Sequence, residues 1–215
     1  MPDRVLNFDE LNIITREQIR DKVEAEIYSD LPDRKVDRKR CEDIIFDLLT
    51  MAYAYGLNKA GLDLQQDLPV NEDQMKDSVY EATAGKTAFE RMSDHIDAAS
   101  PGIEAGGPTA VDAATRLIDR LTTLIETEQI RVENEAILDG GDAYKRKNPD
   151  KTVMKRWVAV IDDRTRDTHF YLDGTIVPLD AYFYSYSGDK ALHPHGFSTP
   201  EEQVNCRCTM DLIVY

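Results

Sequence analysis

Composition and charge restrict what this chain of 215 residues can be. Hydrophobic residues make up 41% of it, which is enough for a packed core and excludes global disorder, and no apolar run approaches the ~20 residues of a membrane span. The net charge of −15 disfavours binding to DNA phosphates, and the first residues lack the apolar core of a secretion signal, so we expect a cytoplasmic protein that is not inserted in a membrane.

The first half of the chain shows the periodicity of amphipathic helices. Between residues 37 and 60, apolar side chains recur every three or four positions, which predicts one helix that stops at Gly61. A sparser stripe predicts a second helix over residues 72–98, with an interruption at Gly85. Residues 100–108 contain prolines and glycines that favour a loop or hinge.

A longer apolar stripe begins after this loop. Thr109 offers an N-cap, and the stripe predicts a helix over residues 109–139 that ends at Gly140-Gly141. Such a helix is about 45 Å long at 1.5 Å per residue, so we expect it to connect two bodies. The polar residues 144–150 then predict a linker.

The last third of the chain has the composition of strands. Residues 156–162 and 170–177 are rich in β-branched and aromatic side chains, and Asp173-Gly174 is a strong hairpin signal. Residues 209–215 predict a final short strand.

We therefore predict an α+β fold with an N-terminal helical region, a long connecting helix and a small C-terminal module of strands and loops. The predicted units are a helical region over residues 1–108, the long helix with its linker over 109–150, and the module over 151–215.

The cysteines differ in their expected environments. Cys41 lies on the apolar stripe of the first predicted helix, where a buried thiol is expected. Cys206 and Cys208 are separated by one residue, so a disulfide between them would be strained and we interpret both as thiols. Together with one or two of the histidines His169, His193 and His195, the two thiols would form a zinc site. The ligand set that we predict is Cys206, Cys208, His169 and His193. The alternative is that Cys206 packs inward while Asn205 and Arg207 hold the loop by hydrogen bonds.

One acidic side chain of the long helix falls on its apolar face. Glu128 continues the stripe between Ile125 and Val132, and a buried carboxylate requires a partner. Arg164 or Arg166 could supply it and dock the module onto the helix. We predict a structural network made of Glu128, Asp162, Arg164, Arg166, His169, Asn205 and Arg207. Residues 162–169 also fit an acid/base or phosphate-handling loop, or an ordinary solvated turn.

These pieces form an ordered series that resembles a known family. The series consists of Thr127-Glu128, Arg131, Asn134, Lys155-Arg-Trp157, Asp162-Asp-Arg-Thr-Arg166, His169, Leu172-Asp-Gly174, Phe183, Gly188, His193-Pro194 and Asn205-Cys-Arg-Cys208. It resembles the phage Mu F-like family of minor head proteins, also called head morphogenesis proteins, over about residues 115–212. Residues 1–100 show no such resemblance, and Glu126 stands where many relatives carry arginine.

The resemblance implies a role for the chain as well as a fold. It implies a structural virion protein without enzymatic activity, assembled in the infected bacterium at the portal vertex of a tailed-phage head. The implied partners are the portal protein and the major capsid protein, with packaged DNA as a further partner.

Two other functions remain open at this point. Glu126-Thr-Glu128 imitates the paired glutamates of arginine-specific ADP-ribosyltransferases, although here the pair precedes the strands instead of following one. The basic cluster Lys145-Arg-Lys147 would suit a protein that leaves the head with the DNA.

Overall fold

The elements of the chain follow the predicted change from helices to strands. The structure, a computed structural model, describes residues 14–83, 86–163, 165–203 and 205–215. The helices are α1 (Arg16–Asp30), α2 (Arg38–Leu64), α3 (Glu72–Tyr80), α4 (Ala88–Ala105), α5 (Gly107–Lys147), α6 (Asp167–Phe170) and α7 (Pro200–Gln203). The strands are β1 (Ala82–Thr83), β2 (Lys86–Thr87), β3 (Val153–Val158), β4 (Ile176–Pro178), β5 (Phe183–Tyr184), β6 (Lys190–Ala191) and β7 (Thr209–Val214). The α+β class is confirmed.

The long helix α5 organises the molecule. Its 41 residues extend about 60 Å, and it packs against α1, α2 and α4 as well as against β7. Apolar side chains of these helices form one core that includes Ile45, Leu49 and Ile118. Within the described part of the chain, none of the helices is both long and apolar enough to cross a membrane.

The predicted end of α5 at Gly140-Gly141 is wrong, and the predicted linker over 144–150 is wrong for residues 144–147, which are helical. The helix continues through both glycines to Lys147. The glycines are needed for packing, because other segments of the chain approach too closely for a side chain at these positions. A Cβ atom on Gly140 would lie 2.7 Å from the Cβ of Ala60. The basic residues Lys145, Arg146 and Lys147 form the last helical turn, where cations favour the helix dipole.

Helix α2 confirms the first predicted helix and extends it past Gly61 to Leu64. It approaches α5 closely at Gly56, where a Cβ atom would lie 2.2 Å from the carbonyl oxygen of Glu133. Cys41 is 4% exposed, so its predicted burial is confirmed. Helix α1, which we did not predict, begins with a capping box formed by Thr15 and Gln18.

The prediction of one helix over 72–98 is wrong. The chain forms α3, leaves the helical conformation at Glu81 and begins α4 after β1 and β2 pair antiparallel. Thr87 caps α4 and exchanges hydrogen bonds with Glu90 in a capping box. This Thr-x-x-Glu pattern in the sequence indicates a helix start at residue 88, which the apolar periodicity alone did not show.

The predicted loop over 100–108 is also wrong. Helix α4 continues through Pro101 to Ala105, and Ile103 is buried at 1% exposure. The free energy gained by burying the apolar side of α4 that includes Ile103 exceeds the cost of the backbone hydrogen bond that proline removes. The turn into α5 needs only Gly106 and Gly107, which have φ angles of 74° and 58°.

The C-terminal strands form an antiparallel sheet in the order β4-β3-β7. The last predicted strand is confirmed as β7, while β3 lies a few residues before the predicted 156–162. The predicted hairpin at Asp173-Gly174 is wrong: Gly174 forms a turn with φ 73°, but it joins α6 to β4 and not two strands. The predicted strand over 170–177 is wrong except at its end, because Phe170 closes the helical turn α6 and β4 begins only at Ile176.

This sheet and its loops dock onto α2 and α5. Lys59 of α2 donates to the hydroxyl of Thr209 (2.8 Å), and Asp63 of α2 accepts the backbone N–H of Leu212 (2.9 Å). Apolar contacts between Ala60, Ile137, Leu179 and Leu212 close the interface. The division into units at residues 108 and 150 stays a prediction.

A buried charge network crosses the middle of α5. Arg131, 2% exposed, donates from Nε to Glu128 (2.8 Å), from Nη1 to both Glu81 and Glu135 (2.8 Å each) and from Nη2 to the carbonyl oxygen of Ser78 (2.7 Å). Burial alone would lower the pKa of Arg131. The negative charges of Glu128 and Glu135 have the larger combined effect and raise this pKa above its ordinary value. The network joins α3 and the chain after it to α5.

Replacing Arg131 by methionine is expected to lower the free energy of unfolding by about 3–5 kcal/mol, because Glu128 stays buried but loses one guanidinium partner. Urea denaturation followed by circular dichroism measures this change. Arg116→Met is the matched control, since Arg116 is exposed on the same helix. A loss no larger than that of the control would contradict a central role for the network.

Gly56→Ala is expected to lower the free energy of unfolding by about 1–3 kcal/mol, because the added methyl group meets the backbone of α5. This loss should appear even though alanine favours a helix by about 1 kcal/mol over glycine. Thermal denaturation of the variant beside Asp47→Ala, an exposed position of α2, isolates the steric effect. An unchanged or raised melting temperature for Gly56→Ala would show that the two helices can separate freely.

Candidate functional site

Two cysteines and a histidine converge in the C-terminal module. Nδ1 of His169 lies 3.4 Å from Sγ of Cys206 and 3.5 Å from Sγ of Cys208. The three side chains are 2–3% exposed, and their donor atoms all lie within 4.8 Å of one another. We call His169, Cys206 and Cys208 the thiol–imidazole cluster.

Short local structures place these three side chains. His169 lies on the single turn of α6, while the cysteines lie between α7 and β7, after Asn205 in a left-handed conformation (φ 60°). The backbone N–H of Cys208 donates to Sγ of Cys206 (3.4 Å), which folds the Cys-x-Cys segment back on itself.

Aromatic side chains enclose the cluster. The ring of Trp157 on β3 meets that of His169 edge-on at 5.7 Å, and the ring of Phe197 stacks on it at 6.0 Å. The cluster therefore belongs to the apolar core of the module, where an uncompensated charge is costly.

A carboxylate lies behind the histidine. Nε2 of His169 is 3.0 Å from Oε2 of Glu202, and the hydroxyl of Thr168 donates to the same oxygen (2.9 Å). Glu202, 7% exposed, is a site residue that sequence reasoning missed, since nothing in the spacing of Thr199-Pro-Glu-Glu202 relates it to His169.

The two thiols have different acidities. The hydrogen bond between them raises the pKa of Cys206 and lowers the pKa of Cys208, which His169 lowers further. Cys208 is consequently the thiol that ionises first.

The other two histidines of the module lie outside the cluster. Nδ1 of His193 is 2.8 Å from the carbonyl oxygen of Pro194, and Nε2 of His195 is 2.9 Å from the carbonyl oxygen of Cys206. Burial lowers the pKa of His193 to about 4 and that of His195 to about 3, so both rings are neutral at pH 7. Of the predicted ligand set, the structure brings together His169, Cys206 and Cys208 and leaves His193 apart.

The predicted structural network is divided between two places. Arg207 donates from Nη2 to both carboxylate oxygens of Asp162, at 2.6 and 2.7 Å, and this pair fastens the loop after β3 to the segment before β7. Glu128 is buried as predicted, and it forms ion pairs with Arg91 of α4 and with Arg131, one turn further along α5. Arg164 lies outside the described residues.

The module contacts α5 at a residue other than Glu128. Asn134 of α5 donates to the carbonyl oxygen of Cys208 (3.3 Å), so the helix holds the cluster through the backbone. Lys155 of β3, which the sequence series contains but to which we assigned no role, is fully buried and donates to the carbonyl oxygen of Leu179 (2.6 Å). Burial lowers the pKa of Lys155 to about 8.

An open cleft lies between α1, α5 and the module. It has a volume of about 510 Å³ and is lined by Arg16, Glu126, Thr127, Ile130, Arg166, Asn205, Cys206 and Arg207. Arg166 and Asn205 of the predicted network thus face α5 across the cleft. Glu126 pairs there with Arg16 of α1.

Comparisons with known proteins identify the family of this chain. The family described as Phage Mu protein F like protein matches residues 73–211, from α3 to β7. The match begins well before the predicted 115 and includes the network around Arg131, the thiol–imidazole cluster and Glu202.

Two curated relatives match shorter segments. The NAD(+)–arginine ADP-ribosyltransferase EFV of Enterococcus faecalis (strain ATCC 700802 / V583) is 46% identical over 57 residues, which are 26% of this chain and 12% of that protein. The Minor head protein GP7 of Bacillus phage SPP1 is 34% identical over 62 residues, which are 29% of this chain and 20% of that protein. The chain thus spans a fifth or less of either relative.

No solved structure matches the chain. The family match covers more than half of the sequence and contains every element of the docked module up to β7. The chain belongs to the Phage Mu protein F like family.

Proposed function

We propose that this protein is a minor head protein of a tailed phage. In this proposal it is made in the cytoplasm of the infected bacterium and joins the head at the portal vertex during assembly and DNA packaging. Its partners are the portal protein and the major capsid protein. The family match over residues 73–211 carries the proposal, and the partial match to the Minor head protein GP7 of phage SPP1 supports it.

Charge and surface chemistry fit this role. The net charge of −15 limits adhesion to packaged DNA. The module also exposes a group of aromatic side chains, in which the rings of Tyr171 and Tyr186 stack at 6.1 Å while their residues are 73% and 85% exposed. Aromatic residues are enriched at protein interfaces, so this group is the surface with which we expect the module to meet the portal.

Quantitative mass spectrometry of purified proheads and virions tests the proposal, with the portal protein as internal standard. We expect a small and fixed ratio of this protein to the portal in both particles. Absence from both would overturn the proposal, and presence in proheads alone would overturn the virion location.

A variant phage tests the portal contact separately. Tyr171→Ser combined with Tyr186→Ser should reduce incorporation into proheads several-fold without changing the melting temperature of the purified protein, because both rings are exposed. Tyr215→Ser, which alters another tyrosine that is 70% exposed, is the matched control. Equal incorporation of both variants would show that the aromatic group does not contact the portal.

The match to an ADP-ribosyltransferase suggests an enzyme, but Glu126-Thr-Glu128 does not support one. Residues two apart on a helix point to different sides, and Glu128 is 2% exposed and held by Arg91 and Arg131. Glu126 therefore lines the cleft without Glu128 beside it. Incubation of the protein with labelled NAD and bacterial lysate should therefore transfer no label.

A further inference from the structure

The thiol–imidazole cluster has more sulfur than one imidazole nitrogen can satisfy. Nδ1 of His169 has a single lone pair or a single proton, yet Sγ of Cys206 and Sγ of Cys208 both approach it within 3.5 Å. Two S–H donors cannot share that lone pair with good geometry, so without an ion one thiol has to turn to the other. An ion at the centre of the three atoms would bind all of them directly.

The distances agree with a tetrahedral ion. Zinc binds thiolate sulfur at ~2.3 Å and imidazole nitrogen at ~2.0–2.1 Å, so tetrahedral geometry places each sulfur about 3.5 Å from the nitrogen. The observed separations of 3.4 and 3.5 Å match this value.

The donor types and their surroundings select the same ion. Thiolate and imidazole together favour zinc over calcium or magnesium, which require oxygen ligands. Oε2 of Glu202 lies 3.0 Å from Nε2 of His169, so a carboxylate stands beside the ring nitrogen that would keep its proton when Nδ1 binds a metal. Carboxylates in this position are typical of zinc-bound histidines.

Charge balance in the apolar core leads to the same conclusion. Two thiolates and one divalent ion form a neutral group, which can be enclosed by Trp157 and Phe197 without an unpaired charge. A small cavity of about 10 Å³ adjoins the cluster, lined by side chains that include Thr165, Arg166 and Asn205. It has room for about one water molecule, which would take the fourth position.

We propose that His169 Nδ1, Cys206 Sγ and Cys208 Sγ bind one zinc ion, with Glu202 as the carboxylate that orients His169. The ion links α6 to the segment that leads into β7, and it thereby stabilises the module. This proposal does not depend on the role in the phage head.

The full-length chain, purified under reducing conditions without chelator, tests it by inductively coupled plasma mass spectrometry. We expect one zinc per chain, and thiolate-to-cobalt charge-transfer absorption when cobalt replaces zinc. Wild-type protein that contains no zinc and takes up none from added Zn²⁺ would overturn the proposal, as would stoichiometric iron or copper in its place.

Variants identify the ligands. Cys208→Ser should lose zinc and melt at a lower temperature, whereas Cys41→Ala, which alters the buried cysteine of α2, should keep zinc. His169→Cys should retain zinc in a three-thiolate site, so it remains informative if Cys208→Ser fails to fold. Glu202→Gln should weaken zinc binding by about 10–100-fold. Full zinc occupancy in Cys208→Ser would assign the ion to another site.

Discussion

The burial of one guanidinium group at the middle of α5 is the constraint on which the helical part depends. Arg131 can be enclosed only because four acceptors from α3, the chain after it and α5 itself surround it. A charge with so many fixed partners permits one rotation of α5 about its axis. That rotation also aims Asn134, three residues later, at the carbonyl oxygen of Cys208. The helical core and the module are therefore aligned by the same helix.

Periodicity predicted those elements whose apolar stripe is long, such as α2 and the body of α5, and it failed wherever tertiary contacts overrode local preference. Gly140 and Pro101 are signals for helix ends, but close packing against Ala60 requires the glycine and the burial of Ile103 retains the proline. Neither contact can be read from neighbouring residues. Helix α1 escaped prediction because its stripe, Ile19, Val23 and Ile27, is narrow within a charged segment.

The candidate site was also predictable from the sequence only in part. Ligand chemistry singled out His169, Cys206 and Cys208, because soft donors are rare in this chain and lie close in the C-terminal sequence. Their separation from His193 depends on the backbone around Pro194, which sequence spacing does not describe. The burial of Glu128 followed from helix geometry, whereas its partner Arg91 lies 37 positions away on a helix whose boundaries were not predicted.

Both outer edges of the C-terminal sheet are blocked. Strand β4 has three residues and ends in Pro178, while β7 lies against α2 and gives its Leu212 N–H to Asp63. An exposed edge strand can pair with a strand of another chain, and a proline or a covering helix at the edge opposes such pairing. Among the described strands of this sheet, copies of this protein crowded together in a confined space therefore meet one short edge with a proline and one edge that lies against α2. Association at this end is consequently favoured through side chains, which can be specific for one partner.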